Sequence, residues 1–150
     1  MSTLPILLVE DSEDNILLVR HAMRKAGVTT PLEVVTSGEE AIAYLGGTNG
    51  FSNWQQFPLP AIVLLDLKMP GIDGFEVLKW IRKHPGLRPL RVAMLTSSEM
   101  PEEIQKAHDL GANVFLTKPV QLERLVDILK TLNEHWLKQA QIPAVTRGLN

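Results

Sequence analysis

Cysteine is missing from all 150 residues, which excludes disulfides, thiol nucleophiles and cysteine-ligated zinc. A strong excess of one charge is missing too. The formal net charge is −2 and no long run carries one sign, so the composition lacks the footprint of a nucleic-acid binder. No apolar run comes near the roughly 20 residues that a membrane helix needs. Met1-Ser2-Thr3-Leu4-Pro5 has no basic segment, and Glu10-Asp11 interrupts the apolar run behind it, so the start does not read as a signal peptide. Together these absences predict a soluble cytoplasmic protein that engages neither membrane nor nucleic acid. What is present is ordinary in bulk. Hydrophobic residues make up 45% and charged residues 21%, in a length that makes one domain the default and suffices for a core.

The informative stretch is Ala61-Ile62-Val63-Leu64-Leu65-Asp66. Its unbroken apolar run reads as a strand buried on both faces, the kind found in parallel sheets covered by helices. A carboxylate falls where the strand should end, and a loop rich in Pro and Gly follows: Leu67-Lys68-Met69-Pro70-Gly71-Ile72-Asp73-Gly74. In an open α/β sheet, ligands bind beyond the carboxyl ends of the strands. Asp66 is therefore expected at the floor of a surface cleft.

The rest of the chain supplies the other elements. Ile6 to Val9 is a strand closed by Glu10-Asp11, and a helix after Ser12 presents Leu18, Val19, Ala22, Met23 and Ala26 before stopping at Gly27. Leu32 to Thr36 is a short strand, and Ser37-Gly38-Glu39-Glu40 has the capping-box pattern of a helix that runs through Leu45. A long loop from Gly46 to Pro60 holds Phe51, Trp54 and Phe57, and two uses stand open for them, self-packing or a partner patch. Beyond the central strand a helix is expected from about Asp73 to Lys83, then a strand from Val92 to Leu95 ending in Thr96. Pro101 opens a helix to Leu110, Val114 to Thr117 forms a strand before Lys118-Pro119, and a closing helix shows Leu122, Leu125, Val126, Leu129, Leu132 and Trp136 on one face. The folded unit is expected over 1–140, with a loose tail over 141–150.

Five strands alternating with five helices predict an α/β, doubly wound, five-stranded parallel sheet of flavodoxin-like order 2-1-3-4-5, with helices on both faces. Right-handed crossovers place the first strand beside the third, which brings Glu10 and Asp11 to Asp66. Three carboxylates so placed repel unless a cation neutralises them. Oxygen donors, with no Cys and no His beside the acidic pair, suit Mg2+. Thr96 and Lys118 reach the same edge from the fourth and fifth strands. Three acids, a hydroxyl and an amine fit phosphoryl transfer, with Asp66 as the nucleophile that forms an acyl phosphate.

This chain resembles the receiver domains of two-component response regulators. The likeness rests on Glu10-Asp11, the run from Asp66 to Gly74, Thr96-Ser97 and Lys118-Pro119, and it spans roughly residues 5 to 137. The aromatic loop before the central strand, His84-Pro85-Gly86-Leu87-Arg88 and the closing Trp136-Leu137 with Ile142-Pro143 resemble one subgroup, the stand-alone receivers that serve phytochrome-type histidine kinases. The resemblance implies that Asp66 takes phosphate from a kinase histidine. It implies Mg2+ held by Glu10, Asp11, Asp66 and the backbone carbonyl of Lys68, and phosphoryl oxygens gripped by Thr96 and Lys118. It further implies a switch through Thr96 and Phe115, a cis bond at Lys118-Pro119, and a signalling protein that assists only its own phosphotransfer and dephosphorylation. A sensor histidine kinase of the phytochrome type, a downstream protein and a homodimer are the implied partners. Since no output domain is expected after Trp136, the signal should leave through a surface around the fourth helix, fifth strand and fifth helix. Two positions depart from the family. Lys68 puts a cation where a small polar residue is usual, and Phe115 lacks the hydroxyl of the commoner Tyr.

Other readings compete residue by residue. Asp66 has the chemistry of a helix cap, Glu10-Asp11 of a cap on the first helix, Thr96 of a plain strand end and Phe115 of a core aromatic. His21, His84, His108 and His135 are expected at the surface, Trp80 and Trp136 as ordinary amphipathic positions, and Arg82, Lys83, Arg88 and Arg91 as a solvated basic cluster. A flavodoxin-like electron carrier fits poorly, because Glu10, Asp11, Glu13 and Asp14 would repel its phosphate. An aspartate-nucleophile phosphatase wants an acid where Lys68 stands. The remaining alternative is a phosphorylation-independent interaction module on the same scaffold.

Overall fold

The computed structural model describes residues 4–97, 100–117 and 121–137. Its elements run β1 (Ile6–Val9), α1 (Glu13–Ala26), β2 (Leu32–Val35), α2 (Gly38–Gly46), β3 (Ile62–Asp66), α3 (Gly74–Lys83), β4 (Arg91–Thr96), α4 (Pro101–Asp109), β5 (Val114–Thr117) and α5 (Leu122–Leu132). All five strands pair in parallel, in the order β2-β1-β3-β4-β5. The doubly wound sheet read from the apolar runs is the observed one. The expectations on Lys118, Pro119 and the 141–150 tail, and on the side chain of Trp136, lie outside the described residues.

Successive strand residues face opposite ways, so each apolar strand feeds two cores. Leu7, Val9, Val63, Leu65, Val92 and Met94 pack with α2, α3 and α4. Ile6, Leu8, Ile62, Leu64, Ala93 and Leu95 pack with α1 and α5. Burial on both faces explains why no polar residue interrupts β1 or the body of β3 before its carboxyl end.

The helix ends are set by side chains. Ser12 caps α1, its hydroxyl accepting from the Asn15 amide at 3.4 Å, and Gly27 closes it at φ +72°. The acidic pair is thereby released from capping. In α2 the Ser37 hydroxyl accepts from the Glu40 amide at 3.1 Å, as a capping box requires. The return arm differs: the Glu40 carboxylate reaches Thr36, accepting from its hydroxyl at 2.8 Å and its amide at 3.2 Å. Asp73 caps α3 by accepting from the Glu76 amide at 2.9 Å. The closing helix keeps α geometry only to Leu132 and widens into one π turn over Asn133–Leu137.

The 46–60 loop divides its aromatics. Phe51 and Phe57 close a ring cluster with Tyr44, at centroid distances of 5.0 to 5.9 Å, and pack on the α2–α3 core. The Tyr44 hydroxyl donates to the Pro58 carbonyl at 2.8 Å, tying the loop to α2. Trp54, half exposed, stands on the outer turn.

Two surface expectations are corrected. His84 is partly buried, with its ring 5.2 Å from that of Trp80, and its Nδ1 is buried with no hydrogen-bond partner among the described residues. His21, His108 and His135 are exposed as expected. Arg82 is not solvated either. Its guanidinium donates to the carbonyls of Gly111, Arg88 and Leu90 and to Asn113 Oδ1, and burial lowers its pKa.

Gly74 bears directly on the site. A Cβ there would lie 2.5 Å from the Asp66 carbonyl oxygen and 2.8 Å from Leu67 Cα, both backbone atoms of the β3 end. Alanine would gain about 1 kcal/mol of helix propensity, but overpacking of this kind costs about 3 kcal/mol. Gly74→Ala is expected to destabilise the protein by about 2 kcal/mol, seen as a lower urea midpoint. An unchanged midpoint would mean that this helix start moves freely.

Candidate functional site

Register assembles the carboxyl edge. Val9 pairs with Leu65, so Glu10 and Asp11 leave β1 beside Asp66, the last residue of β3. One carboxylate oxygen from each of Glu10, Asp11 and Asp66 lies within 4.8 Å of the others. Glu10 and Asp66 are buried, at 1% and 5% exposure, while Asp11 is open to solvent. Glu10 accepts from the Ser12 amide at 3.2 Å and Asp66 from the Lys68 amide at 3.3 Å, so both carboxylates are oriented by local backbone. Asp66 does not cap a helix, since that role belongs to Asp73.

Three carboxylates crowded this closely fit a hard divalent cation. They offer oxygen atoms only, they carry the charge such an ion neutralises, and the exposed Asp11 leaves room for its waters. Two of the three are held in a dry setting where uncompensated repulsion would be strong.

Thr96 ends β4 and is fully buried; Leu95 pairs with Asp66, so Thr96 lies one step beyond the acid on the neighbouring strand. Met94 pairs with Phe115 and Thr96 with Thr117, which puts Thr96 and Phe115 on the same sheet face. Phe115 is partly buried and packs on the α3–α4 core. Lys118 follows β5 directly, outside the described residues.

The loop after Asp66 and α4 flank an open cleft of about 420 Å³, whose lining includes Leu67, Lys68, Asp73 and Glu103. Across it the Lys68 ammonium meets the Glu103 carboxylate at 3.6 Å. The Lys68 side chain is 57% exposed, so this pair is worth at most about 1 kcal/mol. Lys106 lies 4.5 Å above the Phe75 ring and ties α4 to the start of α3.

Comparison with known proteins gives a consistent picture. The family described as response regulator receiver domain matches residues 6–130. The response regulator Rcp1 of Synechocystis is 32% identical over 93% of this chain and 92% of its own. Its Mn2+-bound structure superposes with a TM-score of 0.78, at 31% identity over 93% of this chain and 99% of that one. The response regulator RPA3017 of R. palustris, described in red light signalling, gives a TM-score of 0.84 at 34% identity over 93% of this chain and 99% of that one. The phosphorylated cyanobacterial phytochrome response regulator RcpA gives 0.78 at 38% identity over 95% and 99%.

Proposed function

This chain belongs to the response regulator receiver family, and from that premise we propose that it takes a phosphoryl group from a sensor histidine kinase onto Asp66. The observation that carries the reading is the meeting of Glu10, Asp11 and Asp66 at one edge of the sheet. Asp66 ends the strand, its carboxylate steadied by the Lys68 amide and gathered with those of Glu10 and Asp11. One Asp66 oxygen attacks phosphorus in line, the phosphorus–nitrogen bond of the donor phosphohistidine breaks, and the imidazole takes up a proton as it leaves. Glu10, Asp11, Asp66 and the Lys68 carbonyl would hold Mg2+, which when bound offsets the charge gathered at this edge. Lys118 and Thr96 serve as the cation and hydroxyl donor for the phosphoryl oxygens. Thr96, drawn toward them, makes room on its sheet face for Phe115 to turn inward, so the change reaches α4 and β5. Without a ring hydroxyl, that turn rests on packing.

The partner proposed is a phytochrome-type kinase. Its support is the likeness to RcpA and to RPA3017, together with the aromatic loop that the subgroup resemblance singled out. A downstream protein then reads the surface of α4, β5 and α5, as a monomer or as a homodimer, from the cytoplasm.

Incubation with acetyl phosphate and Mg2+ is expected to add one phosphoryl group, detected by intact mass and removed by hydroxylamine. A cognate kinase is expected to do the same faster. An unmodified mass under both conditions would instead favour an interaction module that works without phosphorylation.

A further inference from the structure

Glu39 has no place in the chemistry above, yet it reaches the loop that carries it. From the first turn of α2 its Oε1 accepts from the Ile72 amide at 2.8 Å, thirty-three residues away in the chain. The surroundings are cut to fit this contact. Gly71 sits at φ +77°, and a Cβ there would stand 2.7 Å from Glu39 Oε1. At Gly38 a Cβ would fall 2.4 Å from the Ile72 carbonyl oxygen and 3.0 Å from its Cβ. Glycines from two separate elements thus let α2 and the β3–α3 loop close on one another. The same loop is fastened at its other end, where the Lys68 amide donates to Asp66 Oδ1 and the Gly74 amide to the Leu67 carbonyl at 2.9 Å.

We infer that Glu39 is a positioning residue for the phosphoacceptor site, holding the loop so that the Lys68 amide and carbonyl keep their places at Asp66. The inference rests on the metal-assisted reading given above. Its neighbour Glu40 provides an internal contrast. Glu40 accepts from the hydroxyl and amide of Thr36 at the start of its own helix, not from the β3–α3 loop. Adjacent acids in one helical turn therefore do different work: one caps, the other reaches across.

The test is Mg2+ titration of the full chain by calorimetry, with hydrogen exchange at the Ile72 amide and acetyl phosphate kinetics as companions. Glu39→Ala is expected to weaken Mg2+ binding by about tenfold, the size seen when a partner that orients a ligand is removed. It should also speed Ile72 exchange and raise the Mg2+ concentration for half-maximal phosphorylation while leaving the rate at saturation unchanged. Glu39→Gln keeps an acceptor oxygen and should restore affinity to within about twofold. Gly71→Ala, whose new methyl would displace the carboxylate, should reproduce the weakened affinity with Glu39 still present. Glu40→Ala should lower the urea midpoint without changing affinity. Wild-type affinity in Glu39→Ala, or equal losses in Glu39→Ala and Glu40→Ala, would overturn the assignment. Failure of the wild-type chain to bind Mg2+ at all would instead overturn the metal-assisted reading itself.

Discussion

Asp66→Asn is expected to abolish phosphorylation by acetyl phosphate and Mg2+ while leaving the fold intact. An amide has no anionic oxygen to attack phosphorus, so the loss should be complete rather than partial. The shape of the side chain is kept, and Asn retains an acceptor for the Lys68 amide that now donates to Asp66. The same change should weaken the metal site. Mg2+ at about 100 times its dissociation constant stabilises a folded protein by about 2.7 kcal/mol, roughly 5–10 °C in Tm for a domain of this size. A tenfold weaker site would lose about 1.4 kcal/mol of that, near half of the shift.

Asp11→Asn separates the two roles. Asp11 is the exposed member of the trio, so its loss should raise the Mg2+ requirement yet leave phosphorylation near normal at saturating metal. A phosphoryl adduct that persisted on Asp66→Asn would assign the acceptor to another residue. An Asp11→Asn protein that no metal concentration rescued would give Asp11 a part in the chemistry itself.

Much of this arrangement was legible in the residues because it rests on local rules. Strands buried on both faces must be apolar along their length, so β1 and β3 stand out, and the first polar residue of each run, Glu10 just after β1 and Asp66 closing β3, marks the carboxyl edge. Crossover handedness then predicts that Glu10, Asp11 and Asp66 meet, and their carboxylates do. What leaves no mark in the sequence is long-range and aperiodic. The Glu39 contact with Ile72 joins two segments with no repeating pattern between them. The 46–60 loop has no period that says which aromatic points inward, so only the packing against Tyr44 sorts Phe51 and Phe57 from Trp54. His84 at the end of α3 read as a surface residue, and the ring of Trp80 one turn earlier partly covers it.

Arg82 is the largest such case, and its removal should have the largest effect on stability. Within a basic stretch it looked solvated, yet every guanidinium nitrogen donates inward. Nε and Nη2 reach the Gly111 carbonyl at 3.1 and 2.6 Å, Nη1 reaches the Arg88 carbonyl at 2.8 Å and the Leu90 carbonyl as well, and Nη2 also reaches Asn113 Oδ1 at 3.2 Å. That asparagine in turn accepts from the Val92 amide at 2.8 Å, so one side chain joins the end of α3 to the starts of β4 and β5. Burial lowers the Arg82 pKa, and the ring of carbonyls is what offsets the desolvation. Hydrogen bonds to a charged group are worth about 1.5–3 kcal/mol each and do not add fully. Arg82→Ala is therefore expected to destabilise by about 3–4 kcal/mol, measured by urea unfolding. Arg82→Lys should recover less than half, because one ammonium cannot span carbonyls that a planar fork reaches together. This fork sits at the amino edge of the sheet and the acids at the carboxyl edge. Under conditions where Arg82→Ala stays folded, its phosphorylation rate should match the wild type. A loss below about 1 kcal/mol would show that water replaces the fork, and a slowed rate in the folded variant would tie the two edges together.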